Sequence, residues 1–158
     1  MTESVSKHQT VDGLRPSQAP DPCCLVIFGA SGDLTQRKLV PAVYNLLLDG
    51  LLPAQFAVVG TARRDLTDEA FVEDLRQGVE DYSRQPLDPE GWAKVAACIS
   101  YVALGNDPSG YRRLAEHLDE VDTKHGTFGN RLFYLSVPPS AIPAVISGLQ
   151  EAGLDRPG

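Results

Sequence analysis

The sequence predicts an α/β fold, a doubly wound parallel sheet of four strands in the order 3-2-1-4 with helices on both faces. Short apolar runs without polar alternation recur along the chain, as in strands buried on both faces. Segments with the apolar spacing of helices separate these runs, and the first run passes through a glycine turn directly into such a segment. This alternation favours right-handed crossovers between parallel strands.

The first apolar run lies in the stretch 24–38, which we interpret as a strand, a phosphate-binding loop and a helix. Residues 25–28 form the strand and Gly29 takes the tight turn that ends it. Gly32 has no Cβ to keep a diphosphate away from the backbone, and Ser31 adds a hydroxyl donor. The pattern therefore predicts a ligand that carries phosphate.

A helix is expected to begin near Asp33, where its unpaired N–H groups and the helix dipole attract an anion. The pattern G-x-x-G-D-L-T lacks the middle glycine of G-x-G-x-x-G and has Thr35 in place of the third glycine. A strand-to-helix turn with two glycines for backbone reasons alone is the alternative. A Walker loop is excluded, because no G-x-x-x-x-G-K-[ST] occurs.

The first helix is predicted to run to Asp49, with Gly50 ending it. Pro41 lies inside this helix, and we expect a kink near Arg37 and Lys38, because proline removes one backbone hydrogen bond. These two cations are either solvated helix residues or directed toward the bound anion.

The second apolar run, 56–60, is the second strand, and Arg63 and Arg64 follow it with no acidic residue before Asp65. In dinucleotide-binding domains an acid at this place accepts the ribose 2′-OH of NAD, whereas an arginine suits the 2′-phosphate of NADP. The guanidinium fork also matches phosphate geometry. The alternative is a surface arginine pair without a ligand.

The rest of the chain supplies two further strands and four helices. The strands are 99–104 and 131–137, and helices are predicted to begin after Thr67 and Asp88, at Tyr111, and after a cap at Ser140. In the order 3-2-1-4, the glycine loop, the Arg63 turn and the Pro138-Pro139 turn meet at the carboxyl edge of the strands. One cleft is therefore expected to gather them.

Composition and charge limit the kinds of molecule that the protein is expected to bind. The chain has 158 residues, is 42% apolar and carries a net charge of −7, which argues against nucleic acid and acidic membrane surfaces. Cys23, Cys24 and Cys98 form no C-x-x-C motif, so we expect reduced thiols and no metal. Residues 1–21 are expected to be a disordered tail before a single domain, 22–158. No secretory or membrane-spanning run occurs, which favours a cytoplasmic protein.

Four strings resemble the amino-terminal part of the glucose-6-phosphate dehydrogenase family in their order and spacing. They are FGASGDLTQRKLVPAVYNL, VVGTARRDL, SYV and NRLFYLSVPP, and the resemblance covers residues 24 to about 154. It implies a Rossmann-like domain that binds NADP within an oxidoreductase of the pentose phosphate pathway. The resemblance also implies which residues contact the cofactor: Gly29, Ala30, Ser31, Gly32, Asp33, Leu34, Thr35 and Gln36 at the diphosphate, Arg63 and Arg64 at the 2′-phosphate, and Tyr134 beside the cofactor. Lys38 aligns with a lysine near the substrate.

The motifs E-K-P and D-H-Y-x-G-K, on which substrate binding and hydride transfer depend in that family, do not occur in this chain. His8, His117 and His125 lack that context. We therefore expect the coenzyme-binding part alone, incomplete at its carboxyl-terminal sheet edge and without a catalytic residue. The family also implies a sugar phosphate substrate and a homo-oligomeric full-length protein.

Two other functional classes are alternatives for this chain. A stand-alone NADP-binding or sensing module would end in a sealed sheet. A short-chain reductase or epimerase needs Tyr-x-x-x-Lys, and none of the five tyrosines has a lysine four residues on.

Overall fold

A computed structural model of the chain describes residues 20–156. Nearly all of the predicted disordered tail, 1–21, lies outside the described residues. Residues 20–22 have no regular secondary structure, and β1 follows them directly. Within 20–156, no helix combines the length and the hydropathy that crossing a bilayer requires.

Four parallel strands form one sheet. They are β1 (Cys23–Phe28), β2 (Phe56–Ala62), β3 (Ile99–Ala103) and β4 (Arg131–Leu135). Their order is β3-β2-β1-β4, and every neighbouring pair is parallel. The predicted fold class and strand order are confirmed.

Helices cover both faces of the sheet. They are α1 (Val40–Leu48), α2 (Asp68–Tyr82), α3 (Pro89–Ala96), α4 (Ser109–His125) and α5 (Ile142–Glu151). On one face, side chains of α1, α2 and α3 pack with Ile27 and Val58, and on the other face α4 and α5 pack with Val26 and Phe28. The two apolar clusters position the strands so that all four carboxyl ends lie at one edge of the sheet.

Two of the predicted helix caps are present, and one is wrong. The Thr67 side chain accepts from the Ala70 amide at 3.1 Å, and Asp88 accepts from the Gly91 amide at 2.8 Å. Ser140, in contrast, caps no helix, because it lies within a 3₁₀ turn, Pro139–Ala141, that precedes α5. β4 also ends earlier than predicted, at Leu135.

The first helix contains a π-helical turn, Thr35–Leu39, rather than the expected kink alone. The Val40 amide donates to the Thr35 carbonyl five residues back. Pro41 has no N–H for the carbonyl of Arg37, so the normal hydrogen-bond ladder is interrupted where the turn widens. The predicted disturbance near Arg37 and Lys38 is thus found at the expected place in a different form.

Strand β4 forms one edge of the described sheet, and its only neighbour within 20–156 is β1. Leu132 is 61% exposed and Tyr134 40% exposed on the strand face that α4 and α5 do not cover. The one charged side chain of β4, Arg131, is paired with Asp119 and Asp122. An edge strand whose exposed side chains are apolar is a template for pairing with another chain.

Lysine in place of Leu132 is expected to suppress self-association of the chain, because a charged side chain at a sheet edge opposes strand pairing. Sedimentation velocity across a wide concentration range measures this. Wild type should associate as its concentration rises, and Leu132→Lys should not. Leu46, which is 39% exposed on α1, supplies the control. If Leu46→Lys suppresses association equally, the β4 edge is not the interface.

Candidate functional site

A cleft of about 490 Å³ opens at the carboxyl edge of the sheet. This volume lies in the range of small-molecule and cofactor sites. Three turns and the starts of two helices line it: Phe28, Gly29, Ser31, Gly32, Thr61, Ala62, Arg63, Arg64, Leu104, Tyr111, Ser136, Val137, Pro138, Ala141, Ala144 and Val145. The predicted meeting of the glycine loop, the Arg63 turn and the proline turn is therefore present.

Gly29 is required by the backbone where β1 ends. Its φ is +77°, and a Cβ there would lie 2.0 Å from the Ser136 carbonyl oxygen. The Gly29 amide donates to the Thr61 carbonyl at 2.9 Å, while the Ser136 amide donates to the Phe28 carbonyl at 2.9 Å. Only a residue without a side chain fits between the ends of β1, β2 and β4.

Gly32 has a different role, since its φ is not in the left-handed region and its surroundings are open. A Cβ there would meet only the Gly29 carbonyl, at 3.0 Å. The space in front of the Gly32 backbone is thus free, and helical residues follow from Asp33. The Gly32 amide itself donates to the Gly29 carbonyl at 3.0 Å. The cradle suits a diphosphate because no side chain at Gly32 blocks the approach to the N–H groups at the start of the helix.

Arg63 and Arg64 supply positive charge to the other side of the cleft. Both are exposed, and neither has a carboxylate within salt-bridge distance in the part of the chain that the structure describes. Asp65, which follows them, forms no ion pair with any residue that the structure describes. Two guanidinium groups are therefore available to an anionic ligand.

Arg37 and Lys38 do not line the cleft. The Arg37 Nε donates to Asp33 Oδ1 at 2.6 Å, and its guanidinium carbon lies 5.0 Å from the centre of the Tyr82 ring. The hydrogen bond to Asp33 raises the pKa of Arg37. Of the two interpretations of this pair, an exposed helix position agrees with the structure, and the substrate role suggested for Lys38 stays a prediction.

Several other predicted cofactor residues lie outside the lining of the cleft. Ala30 and Thr35 are fully buried, and Thr35 Oγ1 has no hydrogen-bond partner within residues 20–156. Tyr134 lies on the exposed face of β4, so the lining at this strand comes instead from the residues just after it. The remaining predicted residues outside the lining are Asp33, Leu34 and Gln36. The structure thus brings together Gly29, Ser31, Gly32, Arg63 and Arg64 from the predicted set.

Leu104 and Tyr111 also line the cleft, and neither was predicted from the sequence as a site residue. The Tyr111 ring stacks on Phe28 with 6.3 Å between centroids, and burial raises its pKa. The predicted strand order could have indicated both residues. In the order 3-2-1-4, the turn after β3 and the start of α4 also reach the carboxyl edge.

Among residues 20–156, the cleft is lined by no histidine, carboxylate or lysine. His117 lies away from it, where Nε2 is 2.7 Å from Ser100 Oγ, and no cluster of potential metal ligands occurs among residues 20–156. The two guanidinium groups of the lining suit an anionic ligand, whereas the described lining offers no histidine, carboxylate or lysine to take a proton from a sugar hydroxyl.

Residues 26–157 match the family model described as "Glucose-6-phosphate dehydrogenase, NAD binding domain". The chain belongs to the glucose-6-phosphate dehydrogenase family. The matched region contains the glycine turn, the arginine turn and all four carboxyl strand ends. The resemblance of the sequence strings is thereby confirmed.

Individual relatives agree with the family assignment. Glucose-6-phosphate 1-dehydrogenase 2 of Mycobacterium tuberculosis is 40% identical over 137 residues, 86% of this chain and 27% of the relative. Glucose-6-phosphate 1-dehydrogenase of Chlamydia pneumoniae is 42% identical over 144 residues, 90% of this chain and 28% of the relative. The chain thus spans little more than a quarter of the length of these curated relatives.

Solved structures of the family share the fold. A glucose-6-phosphate dehydrogenase in complex with glucose 6-phosphate matches with a TM-score of 0.71 and 32% identity, over 87% of this chain and 29% of the other. The enzyme from Mycobacterium avium matches with a TM-score of 0.71 and 28% identity, over 85% of this chain and 28% of the other. The described residues therefore belong to the NAD-binding domain of this family.

Proposed function

We propose that this chain is the part of a glucose-6-phosphate dehydrogenase that binds NADP⁺, with the cofactor held in the cleft between the glycine turn and the arginine turn. The observation that carries the proposal is that one cleft contains both the backbone cradle at Gly32 and the guanidinium groups of Arg63 and Arg64, which form no ion pair among residues 20–156. The cradle suits a diphosphate, and the guanidinium groups suit a 2′-phosphate.

Different residues of the cleft bind different parts of the cofactor. The amides of Gly29, Ala30 and Gly32 already donate to backbone carbonyls. The Ser31 hydroxyl and the N–H groups where the helix begins at Asp33 therefore serve the diphosphate, which NAD⁺ and NADP⁺ share. Arg63, with Arg64 beside it, serves the 2′-phosphate, which only NADP⁺ carries. The chemistry that this cofactor supplies when bound is acceptance of a hydride.

The proposed substrate of the whole enzyme is glucose 6-phosphate, oxidised to 6-phosphogluconolactone in the first oxidative step of the pentose phosphate pathway. The curated relatives carry this activity in their names, and one solved structure contains glucose 6-phosphate. The chain lacks E-K-P and D-H-Y-x-G-K, and the cleft lining contains no histidine, carboxylate or lysine. We infer that the 158-residue chain binds NADP⁺ but does not turn over the sugar phosphate.

Calorimetric titration of NADP⁺ and NAD⁺ into the chain tests the binding proposal, with an NADPH absorbance assay on glucose 6-phosphate beside it. Tighter binding of NADP⁺ and no absorbance change are expected. Equal affinities would contradict the role of the arginines, and sustained NADPH production would contradict the absence of a catalytic residue.

Alanine in place of Gly32 is expected to weaken binding of both cofactors by about tenfold, because the added methyl group occupies the diphosphate cradle. The Cβ would lie 3.0 Å from the Gly29 carbonyl oxygen and meet no other atom within 4 Å, so the melting temperature should fall less than in Gly29→Ala. Titration and thermal unfolding measure the two effects. A selective loss of NADP⁺ alone would mean that Gly32 does not lie at the diphosphate.

A stand-alone NADP-sensing module is the second candidate. The exposed apolar edge of β4 argues against it, since a self-sufficient module is expected to cover such an edge. A cytoplasmic location, an oligomeric full-length enzyme and the absence of nucleic-acid or membrane partners stay predictions.

A further inference from the structure

The turn that carries Arg63 and Arg64 is hydrogen-bonded to the side chain of Tyr101 on β3. The Tyr101 hydroxyl lies 2.5 Å from the carbonyl oxygen of Arg64 and 3.4 Å from that of Ala62. The Ala62 carbonyl already accepts from the Leu104 amide at 2.8 Å. The single hydroxyl proton is therefore donated to Arg64, at the shorter distance.

The ring of Tyr101 is held rigidly. It is 7% exposed, and its centroid lies 4.9 Å from that of Phe71. The Tyr101 amide donates to Asp68 Oδ1 at 2.8 Å, which ties the residue to the start of α2. Burial raises the pKa of the phenol, with a smaller opposing effect of Arg64, so the hydroxyl stays a donor at neutral pH.

The two arginine side chains have no comparable support. Both are exposed, and neither forms an ion pair with another side chain in the range 20–156. The side chain hydrogen-bonded to the Arg64 backbone is that of Tyr101. The backbone of the turn that carries both guanidinium groups is thus hydrogen-bonded, at the Arg64 carbonyl, to a buried tyrosine.

We propose that Tyr101 is a positioning residue for coenzyme choice, whose hydroxyl fixes the arginine turn so that Arg63 meets the 2′-phosphate. This inference rests on the proposed function, in which Arg63 discriminates NADP⁺ from NAD⁺. Because the diphosphate is bound by the glycine turn, loss of the hydroxyl changes NADP⁺ affinity and leaves NAD⁺ affinity unchanged.

The test is calorimetric titration of both cofactors into Tyr101→Phe. The expected result is a three- to tenfold loss of NADP⁺ affinity, roughly the value of one neutral hydrogen bond, with NAD⁺ affinity unchanged. Phenylalanine keeps the ring against Phe71, and circular dichroism confirms that the variant is folded.

Tyr44→Phe is the matched control. Tyr44 is fully buried in the same apolar cluster, and its hydroxyl donates to the Pro86 carbonyl at 2.9 Å and accepts from the Asp88 amide at 2.7 Å. Its loss should lower the melting temperature without changing the ratio of the two affinities. A similar ratio change in both variants would show a general packing effect and overturn the proposal.

The same titrations in an Arg63→Ala background complete a double-mutant cycle. Tyr101→Phe should have no further effect on NADP⁺ affinity once Arg63 is absent. Additive losses would overturn the inference while leaving the proposed function intact. If wild type shows no preference for NADP⁺, or Arg63→Ala does not reduce it, the proposed function itself fails.

Discussion

Replacing Arg63 by alanine is expected to lower the affinity for NADP⁺ roughly ten- to a hundredfold and to leave that for NAD⁺ nearly unchanged. The two cofactors differ only in the 2′-phosphate, so the donors that bind the diphosphate contribute equally to both. A charge-assisted hydrogen bond from a guanidinium contributes about 1.5–3 kcal/mol, which sets the size of the loss. Titration calorimetry of both cofactors into both proteins measures it.

Two further variants separate the geometry of the guanidinium from its charge. Arg84→Ala removes an exposed arginine outside the cleft, so it controls for the change in net charge and should alter neither affinity. Arg63→Lys keeps the charge without the planar fork and should recover part of the affinity. If Arg63→Ala weakens NAD⁺ and NADP⁺ alike, Arg63 does not bind the 2′-phosphate.

The sequence predicts the fold well because its signals are local and agree with one another. Four apolar runs of strand length alternate with helical patterns, and two caps, Thr67 and Asp88, lie where their hydrogen bonds are found. The two wrong local predictions both involve proline, because the backbone can accommodate a proline in more than one way. Pro139 begins a 3₁₀ turn instead of leaving Ser140 as a cap, and Pro41 accompanies a π-helical turn instead of a simple kink.

The candidate site is predicted less completely than the fold. Residues with a special backbone or charge, such as Gly29, Gly32 and Arg63, can be recognised from their type and position, and all three line the cleft. Whether an ordinary neighbour faces the cleft or the core depends on the exact helical rotation, which the π turn changes. Thr35, at the start of the π turn, is fully buried and lies outside the lining. Ala30, in the turn before the helix, packs into the apolar cluster with Phe71 and is likewise outside it.

Contacts between the site and residues distant in sequence cannot be predicted from a local sequence pattern. Tyr111 and Tyr101 come from the α4 start and from β3, and their contacts with Phe28 and with the Arg64 carbonyl depend on sheet register. A tyrosine in a strand pattern predicts a core position equally well. Only the assembled sheet shows that the Tyr101 ring lies in the core while its hydroxyl donates to the Arg64 carbonyl.

Alanine in place of Gly29 is expected to destabilise the chain by about 2–5 kcal/mol and to abolish binding of both cofactors. A left-handed backbone costs a residue with a Cβ about 1–2 kcal/mol, and overpacking adds about 1–3 kcal/mol. The overpacking arises because the Cβ would lie 2.0 Å from the Ser136 carbonyl oxygen, so the ends of β1 and β4 must separate. Denaturant unfolding measures the stability and calorimetry the binding.

Gly50→Ala separates the cost of the left-handed backbone from the cost of overpacking. Gly50 has φ +68° after α1, and a Cβ there meets no atom within 4 Å, so this variant carries only the backbone cost of about 1–2 kcal/mol. It should bind both cofactors as wild type does, since Gly50 does not line the cleft. Equal destabilisation by the two substitutions would show that the Ser136 contact relaxes without cost. Normal cofactor binding by folded Gly29→Ala would show that the tight turn at the end of β1 does not shape the site.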